Sequence, residues 1–174
     1  MLSLSTAQLV KMKQNVDSKN IIAIIPARSG SKGLPGKHMK LINEQPVISY
    51  TIDAARGVSM LERVVVSTDD AEVITYCDQN EVEVIRRPER LATDTSSVVD
   101  ALVHSVEILE KGSNVDIVVW LQPNVPIREP KHITEMLLKL VESNADSIVS
   151  LSTLNWPIEK ALNLTDENLC VSCW

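Results

Sequence analysis

The stretch Ile21-Ile22-Ala23-Ile24-Ile25-Pro26-Ala27-Arg28-Ser29-Gly30-Ser31-Lys32-Gly33-Leu34-Pro35-Gly36-Lys37-His38 changes character halfway along. Its first seven residues are apolar without alternation, the pattern of a strand buried on both faces, and such strands belong to parallel sheets covered by helices. The eleven residues from Arg28 hold three glycines and three permanent cations, Arg28, Lys32 and Lys37. Glycines let backbone N–H groups approach oxygen atoms closely, an arginine forks onto phosphate, and lysines add point charge. A buried strand that runs straight into such a loop predicts an α/β fold with an anion site beyond the strand's carboxyl end.

Working outward, similar β-branched runs recur at 63–67, 82–85, 117–121 and 147–151, each far enough from the next to leave room for a crossover helix. Helix signals fill the gaps. Pro46 opens one helix with Val47, Tyr50, Thr51 and Ala54 on one face, and Gly57 stands at its stop. A second spans about 70–80. A third, about 96–111, sets Val99, Val103, Val106 and Leu109 at helical spacing, and a fourth follows Pro130 with Ile133, Met136, Leu137 and Leu140. Four βα units in succession predict a Rossmann-like, mostly parallel sheet. Residues 1–20 are polar and weakly periodic and read as an N-terminal extension; 21–174 read as one domain, for which 44% hydrophobic residues supply enough core.

A formal charge of −6 argues against a nucleic-acid partner or an anionic membrane surface, so any phosphate site must be local. The apolar runs fall well short of the roughly 18 residues that span a bilayer. Three cysteines, an odd number, do not make a secreted disulfide framework, so the expectation is a soluble protein of the reducing cytoplasm. Cys170 and Cys173 form a CxxC without a second pair, and we read them as structural thiols rather than zinc ligands.

The loops after the strands carry the remaining chemistry. The first loop is not a P-loop, because Gly36-Lys37 is followed by His38, and it lacks the GxGxxG of a nicotinamide site, although Asp69 at the end of the second strand would suit one. Ser67-Thr68-Asp69-Asp70 reads as a helix cap. Arg86-Arg87-Pro88-Glu89-Arg90-Leu91-Ala92-Thr93-Asp94-Thr95-Ser96-Ser97 follows the third strand, and Leu121-Gln122-Pro123-Asn124-Val125-Pro126-Ile127-Arg128 the fourth. Arg87 suits a phosphate, Ser96 stands near a helix start, and the Gln122 side chain can both donate and accept.

IPARSGSKGLPGKH resembles the signature loop of the acylneuraminate cytidylyltransferases, A-R-x-x-S-K-G-[IL]-P-x-K-N, with His38 in place of the asparagine. The third and fourth loops are similar to that family's R-P-x-x-L-A-x-D-T-x-S-S and L-Q-P-T-S-P-L-R, with Val98, Asn124 and Val125 departing from the usual residues. The resemblance covers about 20–165. It implies a nucleotidyltransferase of the nucleotide-diphospho-sugar transferase type that moves CMP from CTP to an acidic nine-carbon sugar, with Mg²⁺ as cofactor and a homodimer as assembly. It implies nucleotide contacts from Arg28, Ser31, Lys32, Lys37, His38, Arg87 and Ser96, a catalytic part for Arg28 and Lys37, and a sugar contact from Gln122. A histidine in the asparagine's place keeps a hydrogen-bonding nitrogen but introduces a titratable group. The family's metal-binding aspartates lie downstream of the matching segment, so no metal ligand is expected here and the catalytic domain reads as incomplete at its C-terminus. Lys32-Gly33 favours a nine-carbon acid over the eight-carbon ketodeoxyoctonic acid, while pseudaminic and legionaminic acids stay open. So does a non-catalytic module that binds CTP or serves in assembly.

Overall fold

The computed structural model describes residues 18–30 and 33–151, together with the backbone of 162–164 and 170–172. Seven consecutive apolar residues form β1 (Ile21–Ala27) as expected, and six of them are fully buried or nearly so. Three further strands build a sheet around it: β4 (Arg63–Thr68), β5 (Glu83–Arg86) and β6 (Ile117–Trp120). Their spatial order is β5-β4-β1-β6, with every pair parallel.

Four helices cover it: α1 (Val47–Arg56), α2 (Ala71–Gln79), α3 (Val98–Leu109) and α4 (Pro130–Ser143). Residues of α1, α2 and α4 join Ile21, Ala23 and Ile25 in one core layer. Leu102, Val106 and Leu109 of α3 join Ile22, Ile24, Val65 and Ile85 in the other. The α/β reading therefore holds, with helices on both faces of a parallel sheet.

Three local readings need correction. The run at 147–151 forms no strand; Val149 and Leu151 are 73% and 89% exposed. β-Branched composition makes a segment competent to pair, but a strand exists only where a neighbouring edge supplies its hydrogen bonds. The face of α1 is also shifted: Ile48, Ile52 and Ala55 reach the core, whereas Val47 and Tyr50 are half-buried. Finally, α3 starts at Val98 because the Oγ of Ser97, not of Ser96, accepts from the N–H of Val99 at 3.1 Å.

Two short antiparallel ladders escaped the sequence reading. In the first, β2 (Leu41–Ile42) pairs with β3 (Gln45–Pro46) through a turn in which Asn43 and Glu44 both have positive φ, the geometry of a tight hairpin. The second pairs β7 (Leu162–Leu164) with β8 (Cys170–Ser172). Cys170 therefore sits in a strand, while Cys173 lies outside the described residues, as do 1–17 of the expected extension.

The chain runs outward from β1 to β4 to β5 and then crosses back to place β6 on the far side of β1. That reversal opens a crevice beyond the carboxyl ends of β1 and β6, the position at which doubly wound sheets bind ligands.

Candidate functional site

The glycine-rich loop is tied down where it leaves β1. The N–H and Oγ of Ser29 donate to the two carboxylate oxygens of Asp69 at 3.0 and 2.5 Å, and Thr68 Oγ1 donates to the carbonyl of Ala27 at 2.5 Å. Asp69 is therefore a loop anchor, with both carboxylate oxygens engaged by Ser29. Its neighbour Asp70 caps α2 by accepting from Glu72 and Val73 N–H groups, as the sequence suggests. At the loop's other end Gly36 has φ +61°, a conformation only glycine adopts without strain, and from it starts the 3₁₀ turn Lys37–Met39. That turn drives His38 inward, to 3% exposure, while leaving Lys37 beside the cleft.

Arg87 follows β5 and is 7% exposed. One Nη donates to the carbonyl of Ser67 at 2.9 Å, yet its buried Nε has no partner, and neither has the buried Oγ of Ser67. Burial lowers the guanidinium's proton affinity, partly offset by the negative charge of Asp69. A buried cation left with an unused donor costs free energy unless a ligand answers it. His38 lies in the same environment. Burial, with the charges of Lys37 and Arg87 outweighing Asp70 and Asp69, holds its pKa at about 4, so the imidazole is neutral near pH 7.

The third loop closes over the first. Arg28 donates to Asp94 at 2.9 Å and reaches the carbonyl of Ala92 at 3.5 Å. Asp94 thus supplies a counter-charge for Arg28. Ser96, although not the helix cap, is held near the cleft by its Oγ, which donates to the carbonyl of Arg90 at 2.9 Å and lies 2.6 Å from the Oγ1 of Thr93.

After β6, the carbonyl of Gln122 accepts from Thr51 Oγ1 at 3.3 Å and from Arg128 Nη1 at 3.2 Å. Thr51 is fully buried on α1, so the backbone of the fourth loop is pinned to the helix layer while the Gln122 side chain stays exposed.

These elements enclose a cleft of about 230 Å³. Arg28, Lys37, His38, Arg87, Ser96 and Gln122 all line it, brought together from three loops and a sequence separation of 94 residues. Ser31 and Lys32 lie outside the described residues. A second hollow of about 400 Å³, between the 3₁₀ turn and α2, is larger but open, and Glu72 is its one charged residue. It gathers none of the expected residues, so convergent chemistry rather than volume decides between the two. Reading by sequence missed Asp69, Asp94, Trp120 and Arg128. Asp69 and Asp94 stand in quoted motifs, but their partners are 40 and 66 residues away.

Among the described residues no three His, Cys, Asp or Glu side chains converge to hold a metal ion. Asp69 and Asp94 are engaged by Ser29 and Arg28. The described residues therefore do not fit a complete magnesium site.

The chain is similar to known proteins over most of its length. The chain is 36% identical over 148 residues to an N-acylneuraminate cytidylyltransferase of Escherichia coli O18:K1:H7, covering 84% of this chain and 34% of that protein. It is 38% identical over 140 residues to a CMP-N,N'-diacetyllegionaminic acid synthase of Legionella pneumophila, covering 78% and 59%. Among solved structures, a CMP:2-keto-3-deoxy-manno-octonic acid synthetase complexed with CTP superposes with a TM-score of 0.62 at 29% identity, over 73% of this chain and 49% of that one. The chain thus spans between about a third and three fifths of the length of these relatives. Three such loops converge on one cleft, the profile of the cytidylyltransferase family matches residues 22–173, and the chain belongs to that family.

Proposed function

We propose that this chain carries the nucleotide half of a reaction in which CMP passes from CTP to an acidic nine-carbon sugar of the N-acylneuraminate type, with release of pyrophosphate. The observation that carries the reading is the single cleft in which Arg28, Lys37 and Arg87 face the same space as Gln122. Three cations can balance a triphosphate, and the unused Nε of Arg87 offers a donor that an oxygen of CTP would satisfy. The anomeric hydroxyl of the sugar gives up its proton to solvent as its oxygen attacks the α-phosphorus, the bond to the departing pyrophosphate breaks, and Arg28 and Lys37 stabilise the charge that develops there. Neutral His38 and Ser96 hold the nucleoside by hydrogen bonds, and Gln122 orients the sugar. Magnesium, which the resemblance implies, would supply further neutralisation of phosphate charge.

The shared chemistry of the relatives is CMP transfer to acidic sugars, and their acceptors differ, from N-acylneuraminic and legionaminic to octulosonic and pseudaminic acids. A nine-carbon acid is favoured by Lys32-Gly33. The reading carries with it a cytoplasmic homodimer; among the described residues no helix is long and apolar enough to cross a membrane. A second reading, a non-catalytic module that binds CTP or serves in assembly, is separated from the first by the same experiment.

The test is pyrophosphate release from CTP and Mg²⁺ with a panel of N-acetylneuraminic, legionaminic, pseudaminic and ketodeoxyoctonic acids, beside CTP binding by calorimetry. Release that disappears in Arg28→Ala supports the transferase. Binding that depends on Arg28 without release supports the module, and absence of CTP binding overturns both.

A further inference from the structure

Trp120 is the last residue of β6 and lines the cleft together with Gln122, Ser97 and Val98. It is 45% exposed, whereas Leu121, the next residue, is 5% exposed. The reason lies in the pleat. Ile117, Val119 and Leu121 point into the core layer shared with α1 and α4, and Val118 and Trp120 point to the opposite face, in register with Ile22 and Ile24. On that face α3 packs mainly over β1 and β4, and the outer strand β6 keeps Val118 and Trp120 exposed. Val118 is accordingly exposed as well, but Trp120 alone of the two reaches the cleft.

Aromatic residues are scarce in this chain: three Trp, two Tyr and no Phe. An indole at a polar cleft is an apolar platform flanked by hydrogen-bonding groups, the combination that binds a ring with one C–H face and a rim of hydroxyls. Gln122 lies two residues beyond Trp120, in the loop after β6, and both line the cleft while Leu121 between them is buried. The cations Arg28 and Lys37 come from the first loop, beyond β1.

We propose that Trp120 is a binding and specificity-determining residue for the acceptor: its indole face carries the pyranose ring of the acidic sugar while Gln122 engages the hydroxyls. This rests on the transferase reading above and adds to it the surface that selects the acceptor. A platform of this size favours sugars with a broad apolar face or an acyl substituent over smaller ones.

The experiment uses the full chain with Trp156→Phe and Trp174→Phe, so that Trp120 is the sole indole, with EDTA present to prevent turnover. CTP is titrated first, then N-acetylneuraminic acid at saturating CTP, with indole fluorescence and calorimetry as readouts. The expected result is a fluorescence change on adding the sugar, a loss of about tenfold in sugar affinity in Trp120→Ala, most of it restored in Trp120→Phe, and CTP affinity within about twofold throughout, in line with the range seen for ring stacking on aromatic residues. Loss of CTP affinity in Trp120→Ala, with a fluorescence change on CTP alone, would assign the indole to the cytosine base and overturn the proposal. Unchanged sugar affinity in that variant, or a chain that binds CTP but no acidic sugar, also overturns it while leaving nucleotide binding intact. Failure to bind CTP at all removes the transferase reading itself.

Discussion

His38 and Arg87 are where single side chains decide the behaviour of the cleft. His38 is buried and its pKa is held at about 4, below the ordinary 6.5. A lowered base pKa means the unfolded chain binds more protons than the folded one between those values, so this residue's contribution is fully present above pH 6.5 and is lost as pH falls toward 4. The full difference is about 3 kcal/mol. His38→Asn, the residue the resemblance leads one to expect, should flatten the pH dependence of unfolding between pH 6.5 and 4, measured by denaturant titration at a series of pH values, and retain CTP binding at pH 7. Arg87 is the converse case, a charge buried without a matched partner. Arg87→Leu should weaken CTP binding by more than tenfold while leaving Tm unchanged or raised by a few degrees, because a buried cation with an unanswered donor is exchanged for an apolar side chain. A large loss of stability in that variant would show that the guanidinium serves the fold and not the ligand.

Among the elements, the ends of α1 and α4 are fitted to each other. Gly57 follows α1 with φ −73°, so its place has nothing to do with a left-handed stop; a Cβ there would sit 2.6 Å from Cγ of Pro130, the first residue of α4. Pro130 in turn sits at the helical position where its missing N–H costs nothing. Gly57→Ala should therefore push the two helices apart and destabilise by about 1–3 kcal/mol, read as a fall in Tm of roughly 3–10 °C. The fall should be accompanied by weaker binding at Gln122, since α1 carries Thr51 and the N-terminus of α4 follows Arg128, and these hold the Gln122 carbonyl. The helix boundaries of α2 were legible to within a residue because Asp70 is both the sequence signal and the observed cap. The start of α3 was not, since Ser96 and Ser97 are equivalent as letters and only the loop's path decides which hydroxyl meets the Val99 N–H.

For the whole molecule, the outer edge of β6 pairs with no other strand among the described residues, and Val118 and Trp120 leave an apolar strip beside it. An open edge of this kind invites strand addition. Val118→Lys should reduce concentration-dependent association in light scattering and leave CTP affinity unchanged; undiminished association would place the contact elsewhere. What the sequence determined by itself was the parallel α/β sheet, its four principal strands, and six of the residues that line the cleft. The sheet follows from short-range information, since a run of apolar residues needs cover on both faces, and Arg28 and Lys37 stand out as cations among glycines, whereas His38, Arg87, Ser96 and Gln122 were marked by the motifs' resemblance to the cytidylyltransferases. The tertiary structure alone decided that 147–151 finds no ladder, that Asp69 anchors the first loop and Asp94 offsets its arginine, that His38 is neutral, and that Trp120 faces the cleft. Each of these depends on a partner tens of residues away or on the low dielectric that burial creates, and neither is written in the residues beside it.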